Sequence, residues 1–352
     1  MDAEATPRAN LAAVAARAGV SRSTASLAFS GSGPVSDATR QRVLAAASEL
    51  GYAGPDPRAR SLRQGRSGII GVVIEDRLRD AFRDPINIAM LDGLADEVGP
   101  TGASVLLLTE TSESSGAVET APVDAVVLLG CSTRLDERID VVRRRGIPVV
   151  AIEAEHRAGV VAVDLDNREA SRFIARHLLE LGHSRVAVVT LELDASRTRG
   201  PLTGTAIAAS TSFVAVQRMA GVLDVFPGAG GWIAAGSLIE EGTTAGLALL
   251  SDAATRPTAV IAQSDLLAVG VIRAAERLGL RVPEDVSVVG FDGIRIDGIA
   301  PLVLTTMAQP AVEKGRAAGR AVLSLLAGGD ATTAAFTAEF VRGSTTARPA
   351  DF

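Results

Sequence analysis

Three acidic residues stand where short apolar runs end. Glu153 closes PVVAIE, Asp265 comes just after TAVIAQ, and Asp292 follows VSVVGF. Arg218 begins a helical stretch in QRMAGVLD. A carboxylate accepts from two hydroxyls and a guanidinium donates a paired hydrogen bond, so this set suits a polyhydroxylated or anionic ligand. Phe82, in AFRDP, and Phe291 are candidate stacking faces. Asp265 has a second reading as the cap of the helix LLAVGVIRAAERLG. Chemistry beyond binding finds little support. His177 and His183 are poorly spaced to share a metal, and no cysteine partners them. There is no Ser/His/Asp arrangement and no GxxxxGK phosphate loop, and PGAGGW (227–232) lacks the spacing and context of a dinucleotide fingerprint. The expectation is a protein without cofactor, metal or enzymatic activity.

The elements that must place these residues alternate in character. GIIGVVI (68–74), ASVLLLT (103–109), DAVVLLG (124–130) and PVVAIE (148–153) are Val/Ile/Leu runs separated by amphipathic helical stretches. The pattern restarts with RVAVVT (185–190), TAVIAQ (258–263) and VSVVGF (286–291). Buried parallel strands with crossover helices predict a doubly wound α/β fold, and two such halves predict two lobes with a ligand cleft between them. At 47% hydrophobic but only 3% aromatic, the cores must be aliphatic. The long polar stretch 191–213 either covers that cleft or decorates the surface, and Trp232 either lines the cleft or packs. One cysteine, Cys131, rules out an internal disulfide framework and suits a reducing compartment. No run is long and apolar enough to cross a bilayer, and no export signal is evident, so a cytoplasmic location is expected.

Before this body lies a different segment, LAAVAARAGVSRSTASLAFSGSGPVSDATRQRVLAAASELGY (11–52). Asn10 can cap a first helix with the stripe Leu11, Val14 and Ala15, which Gly19 ends. Ser21 caps a second helix, Arg22 to Phe29. Ser36 caps a third, with Val43, Leu44, Ala47 and Leu50 at helical spacing. Two helices joined by a short glycine turn form a helix-turn-helix, whose second helix fits the DNA major groove. A small helical bundle with no nucleic-acid role is the alternative. The charge distribution favours DNA. Residues 1–68 hold nine Arg against five Asp or Glu, a net of +4 within a chain of net −6.

VAARAGVSRSTAS, then VSDATRQRVLAAASELGY, then PDPRARSLRQGRSGIIGVV resemble, in order and at nearly the same spacing, the start of the lactose-repressor (LacI/GalR) family of bacterial transcription regulators. PINIAMLDGLADEV, RFIARHLLELGHSRVAVV and QSDLLAVGVIRAAERLGLRVPEDVSVVGFDG extend the resemblance to the body, which in that family is akin to periplasmic sugar-binding proteins. The resemblance implies that Arg22 and Ser23 reach base edges, with Arg22 able to pair with a guanine. Ser21, Thr24 and Ser26 would contact phosphates or cap the helix, and Leu27 stands where relatives often carry a polar residue. In relatives the segment matching 53–66 becomes helical only on DNA, where Arg60 would lie and Leu62 would wedge into the minor groove. Glu153, Arg218 and Asp292 match effector-pocket positions.

The resemblance thus divides the chain into a DNA-binding domain (1–52), a hinge (53–66) and an effector-binding, dimerising core (67–352). The first lobe would span about 67–163 and 295–326, the second about 164–294 and 327–347. PLVLTTMAQP would cross back to the first lobe, and FTAEFVRGSTT would close the second. The implied function is a repressor that reads a pseudo-palindromic operator as a homodimer and answers to a sugar or related metabolite. A solute-binding protein of the same core architecture and a nucleotide-dependent α/β enzyme are the competing readings.

Overall fold

The computed structural model describes residues 9–350 apart from 31–32, 56–60, 62–64, 76–77, 110–115, 130–134 and 296–297. Its contacts separate into two units, Met1–Ser67 and Gly68–Phe352.

In the first unit, α1 (Leu11–Ala18) starts where the Asn10 side chain accepts from the Ala13 N–H, and Gly19 ends it at φ 66°. That left-handed turn leads into α2 (Arg22–Ser30), and Ser36 caps α3 (Asp37–Glu49) by accepting from the Thr39 N–H. The helices close on Val14, Ala15, Ala25, Ala28, Val43, Ala46 and Ala47, with Phe29 edge-on to Tyr52 at the margin. The inward stripe of α3 differs from the expected one. Ala46 turns in, whereas Leu44 and Leu50 stay 46% and 37% exposed. Small alanines let three short helices approach closely, and no room remains for the two leucines.

The second unit is built on parallel sheets. Its first sheet comprises β1 (Ile69–Ile74), β2 (Ser104–Thr109), β3 (Ala125–Leu128), β4 (Val149–Ile152), β5 (Val161–Leu165) and β12 (Ala334–Phe336), in the order β12-β5-β4-β3-β1-β2. The second comprises β6 (Val186–Thr190), β7 (Gly200–Pro201), β8 (Gly230–Ile233), β9 (Ala259–Ala262) and β10 (Ser287–Val289), in the order β10-β9-β6-β8-β7, with only β7 antiparallel. Strands β3, β4, β6 and β9 are buried throughout, which is why they read as unbroken aliphatic runs rather than alternating ones. β11 (Thr306–Ala308) and β13 (Glu339–Val341) form a separate antiparallel pair. Among the described residues, the Gly-rich 227–232 run enters β8, where Gly231 lies against the Val188 backbone too closely for any side chain.

The longer helices are α4 (Pro85–Val98), α5 (Leu135–Arg144), α6 (Asn167–Glu180), α7 (Phe213–Leu223), α8 (Ile239–Leu250), α9 (Asp265–Arg277) and α10 (Ala311–Leu326). All but α5 pack in pairs on the sheet faces: α4 with α10, α6 with α7, α8 with α9. Each pair meets through glycine. A Cβ on Gly93 or Gly315 would overlap the facing backbone of α10 or α4, and one on Gly242 or Gly270 that of α9 or α8.

Two boundaries differ from expectation. Residues 334–336, expected in the second lobe, pair with Val163–Leu165 in the first sheet. Conversely, Ile299, Leu304 and Met307, expected in the first lobe, are buried in second-lobe cores. A strand of three residues carries no pattern that names its sheet; only the pairing edge offered by β5 decides. The chain therefore crosses between lobes near 165–167, 308–311 and 336–339, and Asp166 ties the first crossing to the last by accepting from the Ala338 N–H.

Because the α8–α9 contact has no space for a methyl group, Gly242→Ala should destabilise the protein by about 1–3 kcal/mol through overpacking. A urea unfolding curve with an unchanged midpoint would remove the close-packing explanation.

Candidate functional sites on a helix face and in the interlobe cleft

The first candidate is the outer side of α2. Ala25 and Ala28 face the core, so Arg22 and Ser23 project into solvent while Ser26 and Leu27 are half-buried between. The Ser21 hydroxyl accepts from the Thr24 N–H at 3.1 Å and lies 2.7 Å from the Ser23 hydroxyl and 2.8 Å from that of Thr24. Capping thus occupies Ser21 and Thr24. Arg22 makes no hydrogen bond or ion pair among the described residues, which leaves its guanidinium fork available to a partner. Leu27 lies over Gly33. Arg60 and Leu62 fall outside the described residues.

The second candidate lies between the lobes, beyond the carboxyl ends of the strands, where a cleft of about 680 Å³ including its open mouth is walled from both sides. Glu153, Arg218 and Asp292 all line it. Three expected residues stand elsewhere. Phe82 is 51% exposed and outside the lining. Phe291 is buried beneath the Arg218 guanidinium, 3.7 Å from its ring centre. Asp265 lies one layer down and is not the helix cap, because Ser264 accepts from the Leu267 N–H. Its carboxylate instead accepts from the Ile294 N–H at 2.9 Å and the Thr306 hydroxyl at 2.6 Å, fastening the 294–306 segment. Trp232 packs against the second-lobe core.

The polar groups of the cleft floor form a closed ring. Lys314, fully buried on α10, donates to Glu153 and to the side-chain Oε1 of Gln309. Gln309 donates to Asp292 Oδ1 at 2.6 Å, and Asp292 lies 3.7 Å from Arg218. Arg218 is 3.6 Å from Glu153 and donates at 2.7 Å to Asn167, whose amide donates to Glu153 at 2.7 Å. Glu153 and Asp292 both sit at positive φ, 52° and 128°. Such backbone strain in a non-glycine residue persists only where surroundings impose it, and it gathers at binding sites.

Charge in this layer is unevenly satisfied. Burial pushes the Glu153 carboxyl up, but Lys314 and Arg218 outweigh it and hold the group at about 2. Burial pushes Asp265 up to about 7 against its hydrogen bonds from Thr306 and Ile294. Burial also drives Asp292 well above the ordinary carboxylate range; Arg218 opposes this, and the neighbouring charges of Asp265 and Asp84 add to it.

Residue patterns gave no warning of several neighbours. Glu75, Asp84, Asn87, Glu192, Arg197 and Ser237 also line the cleft, with Ser264 and Gln309 and an apolar side that includes Ile74, Ile86 and Met90. Leu191, Glu192 and Arg197 come from the 191–213 stretch, so part of it forms cleft wall, and Arg197 reaches the Glu75 carbonyl of the opposite lobe at 2.9 Å. Lys314 did carry one visible signal: it is the only lysine in the chain, set on the apolar side of a helix. His177 and His183 hold the tail, bonding Thr346 and the Ala347 carbonyl. Among the described residues no His/Cys/Asp/Glu group is placed to hold a metal, and no helix is long and apolar enough to cross a membrane.

Comparison with known proteins adds to this geometry. Residues 10–54 match the model for bacterial regulatory proteins of the lacI family, and residues 175–346 that for a periplasmic binding protein-like domain. The chain is 34% identical to the HTH-type transcriptional regulator Rv3575c of Mycobacterium tuberculosis, over 97% of this chain and 98% of that protein. It is 31% identical to the HTH-type transcriptional repressor CytR of Escherichia coli, over 96% of each. The lac repressor dimer bound to operator and the anti-inducer ONPF shares the fold, with a TM-score of 0.76 at 24% identity over 96% and 99% of the two chains.

The raised Asp265 carboxyl fixes a sign. Its proton is held more tightly folded than unfolded, so the stability it contributes is complete below about pH 4 and is lost as pH rises to about 7. Asp265→Asn keeps the shape without the titration. The melting temperature of that variant minus that of the unaltered protein should therefore climb between pH 4 and 7 and level off above. A flat difference across that window contradicts the shift.

Proposed function

Since the chain belongs to the lacI family of bacterial regulatory proteins, with a DNA-binding domain and a ligand-binding domain, we propose that it is a cytoplasmic repressor reading a pseudo-palindromic operator as a homodimer. A small polyhydroxylated effector in the interlobe cleft switches it. The observation that carries the reading is the pairing of two features in one chain. An outward helix face bears an uncommitted arginine, and a separate two-lobed body closes around a polar, strained cleft.

The physical case is short. An α-helix presenting Arg22 and Ser23 fits the major groove, where a guanidinium makes two hydrogen bonds to guanine and a hydroxyl is less selective. Ser21, Thr24 and Ser26 suit phosphate contacts, which set register rather than sequence. Arg60 and Leu62 are proposed for the minor groove on family likeness alone. In the cleft, Asp292 presents acceptors while Asn87 and Ser237 can donate or accept, a set suited to hydroxyl groups. Arg218 is an organiser of the floor more than a ligand anchor, because Asn167, the Gln263 carbonyl and Phe291 already occupy it. A ligand touching both walls stabilises one arrangement of the lobes over another, and that preference is the coupling free energy a switch requires.

Removal of residues 1–66 should abolish binding to an operator selected from random duplexes and leave a folded, ligand-binding core. Operator affinity surviving the truncation would reject the assignment of the helical unit. Arg22→Ala should relax preference at one operator position by about 1–3 kcal/mol. A specificity profile indistinguishable from that of the parent, measured by competition with single-base variants, would take Arg22 out of the reading set.

A further inference from the structure

Residues 194–199 form an arm that is rooted in the second lobe and touches the first. Its root is fixed at both ends. The Leu193 carbonyl accepts from the Thr211 and Ser212 N–H groups at 2.9 and 3.1 Å, and from the Ser210 hydroxyl at 2.7 Å. On the other side Arg199 pairs with the buried Glu241 of α8 at 2.8 Å, and Gly200–Pro201 joins β8 as β7. Between these anchors the chain turns tightly. The Asp194 carboxylate accepts from the Ser196 N–H at 2.8 Å, and the Asp194 carbonyl from the Arg197 N–H at 3.2 Å. Arg197 is held in this turn at φ 51°, a conformation that favours glycine. Its guanidinium reaches the Glu75 carbonyl, just past the end of β1 on the first lobe. Both residues line the cleft, so their contact lies across an opening rather than outside it.

Resting on the sensor reading above, we propose that Arg197 is a gate: the arm bars the cleft to molecules of metabolite size, and entry requires the Arg197–Glu75 contact to part. The two ends of the arm differ in strength. Its root has several bonds, a buried carboxylate among their acceptors, and stays in place. Its tip meets the first lobe through a partly exposed guanidinium on a neutral carbonyl, and such a bond opens without unfolding its surroundings. Gating is distinct from setting the angle between the lobes. A bar lifted for entry is lifted for exit, so its removal speeds both and leaves equilibrium affinity to the floor.

Cysteine accessibility tests this without a ligand. In the full-length protein the single cysteine is removed by Cys131→Ser, and Ser237→Cys places a thiol on the cleft lining. Alkylation is timed with iodoacetamide and with N-cyclohexylmaleimide, whose ring is close to a hexose in size. The ratio of the two rates cancels the ionisation of the thiol itself. Arg197→Gly suits the backbone at φ 51° and removes the guanidinium, so it should raise the maleimide-to-iodoacetamide ratio about tenfold. Asp194→Ala unties the turn and should raise it too, with Arg197 still present. Ser251→Cys, a thiol on the exposed end of α8, should keep its ratio throughout. An unchanged ratio for Ser237→Cys would show passage by another route and overturn the gate. An equal rise for Ser251→Cys would show general loosening and overturn it as well. The measurement contains no effector, so a failed search for one bears on the sensor reading and leaves the gate to this ratio.

Discussion

Two buried cations between two lobes govern the core of this protein. A guanidinium and an ammonium removed from water are tolerable only when carboxylates and hydrogen-bond acceptors are held against them. Arg218 and Lys314 meet that condition by sharing Glu153, which lies on the first lobe at the end of β4 while Arg218 stands on α7 of the second. Asn167 and Gln309 complete the ring, and each belongs to a segment where the chain crosses from one lobe to the other. The charge pairing that makes burial possible is thus also what joins the lobes.

This arrangement has consequences for the proposed switch. A network with every member bonded resists small adjustments, because shifting one group strands another in a low-dielectric site. Ligand that engages Asp292 therefore perturbs Gln309 and Arg218 together, and with them two crossings. Rim contacts are of another kind. Arg83–Glu240 spans the lobes at 2.6 Å, yet both side chains are substantially exposed, and solvent-screened pairs of that sort contribute little. Control of lobe geometry belongs to the floor rather than the mouth.

Much of the fold was readable in one dimension. Runs such as AVVL in β3 and VAVVT in β6 have to be buried strands because nothing in them tolerates water, and intervening amphipathic helices force the parallel order. Caps at Asn10, Ser21 and Ser36 come from the local need of helix N-termini for acceptors, whereas at α9 the cap is Ser264 and not the expected alternative Asp265. Of the cleft, Glu153 and Asp292 were legible from their places at strand ends and on family likeness, and Arg218, on a helix, on family likeness. Phe82 and Phe291 were plausible by type alone, and type does not say whether a ring faces ligand, solvent or the underside of an arginine. Lys314 escaped because a lysine in a helix is ordinarily solvated; its burial follows from Glu153, 161 positions earlier.

By itself, then, the sequence determined those features whose causes lie within a turn or a strand: caps, helix faces, buried runs, the basic head and the acidic body. Tertiary structure alone decided which three-residue strand joins which sheet, which carboxylate sinks beneath the floor, and which lines the cleft. The physical reason is range. Hydrophobic periodicity and capping act among neighbours in the chain, whereas neutralising a buried charge depends on partners brought together only when both lobes have formed.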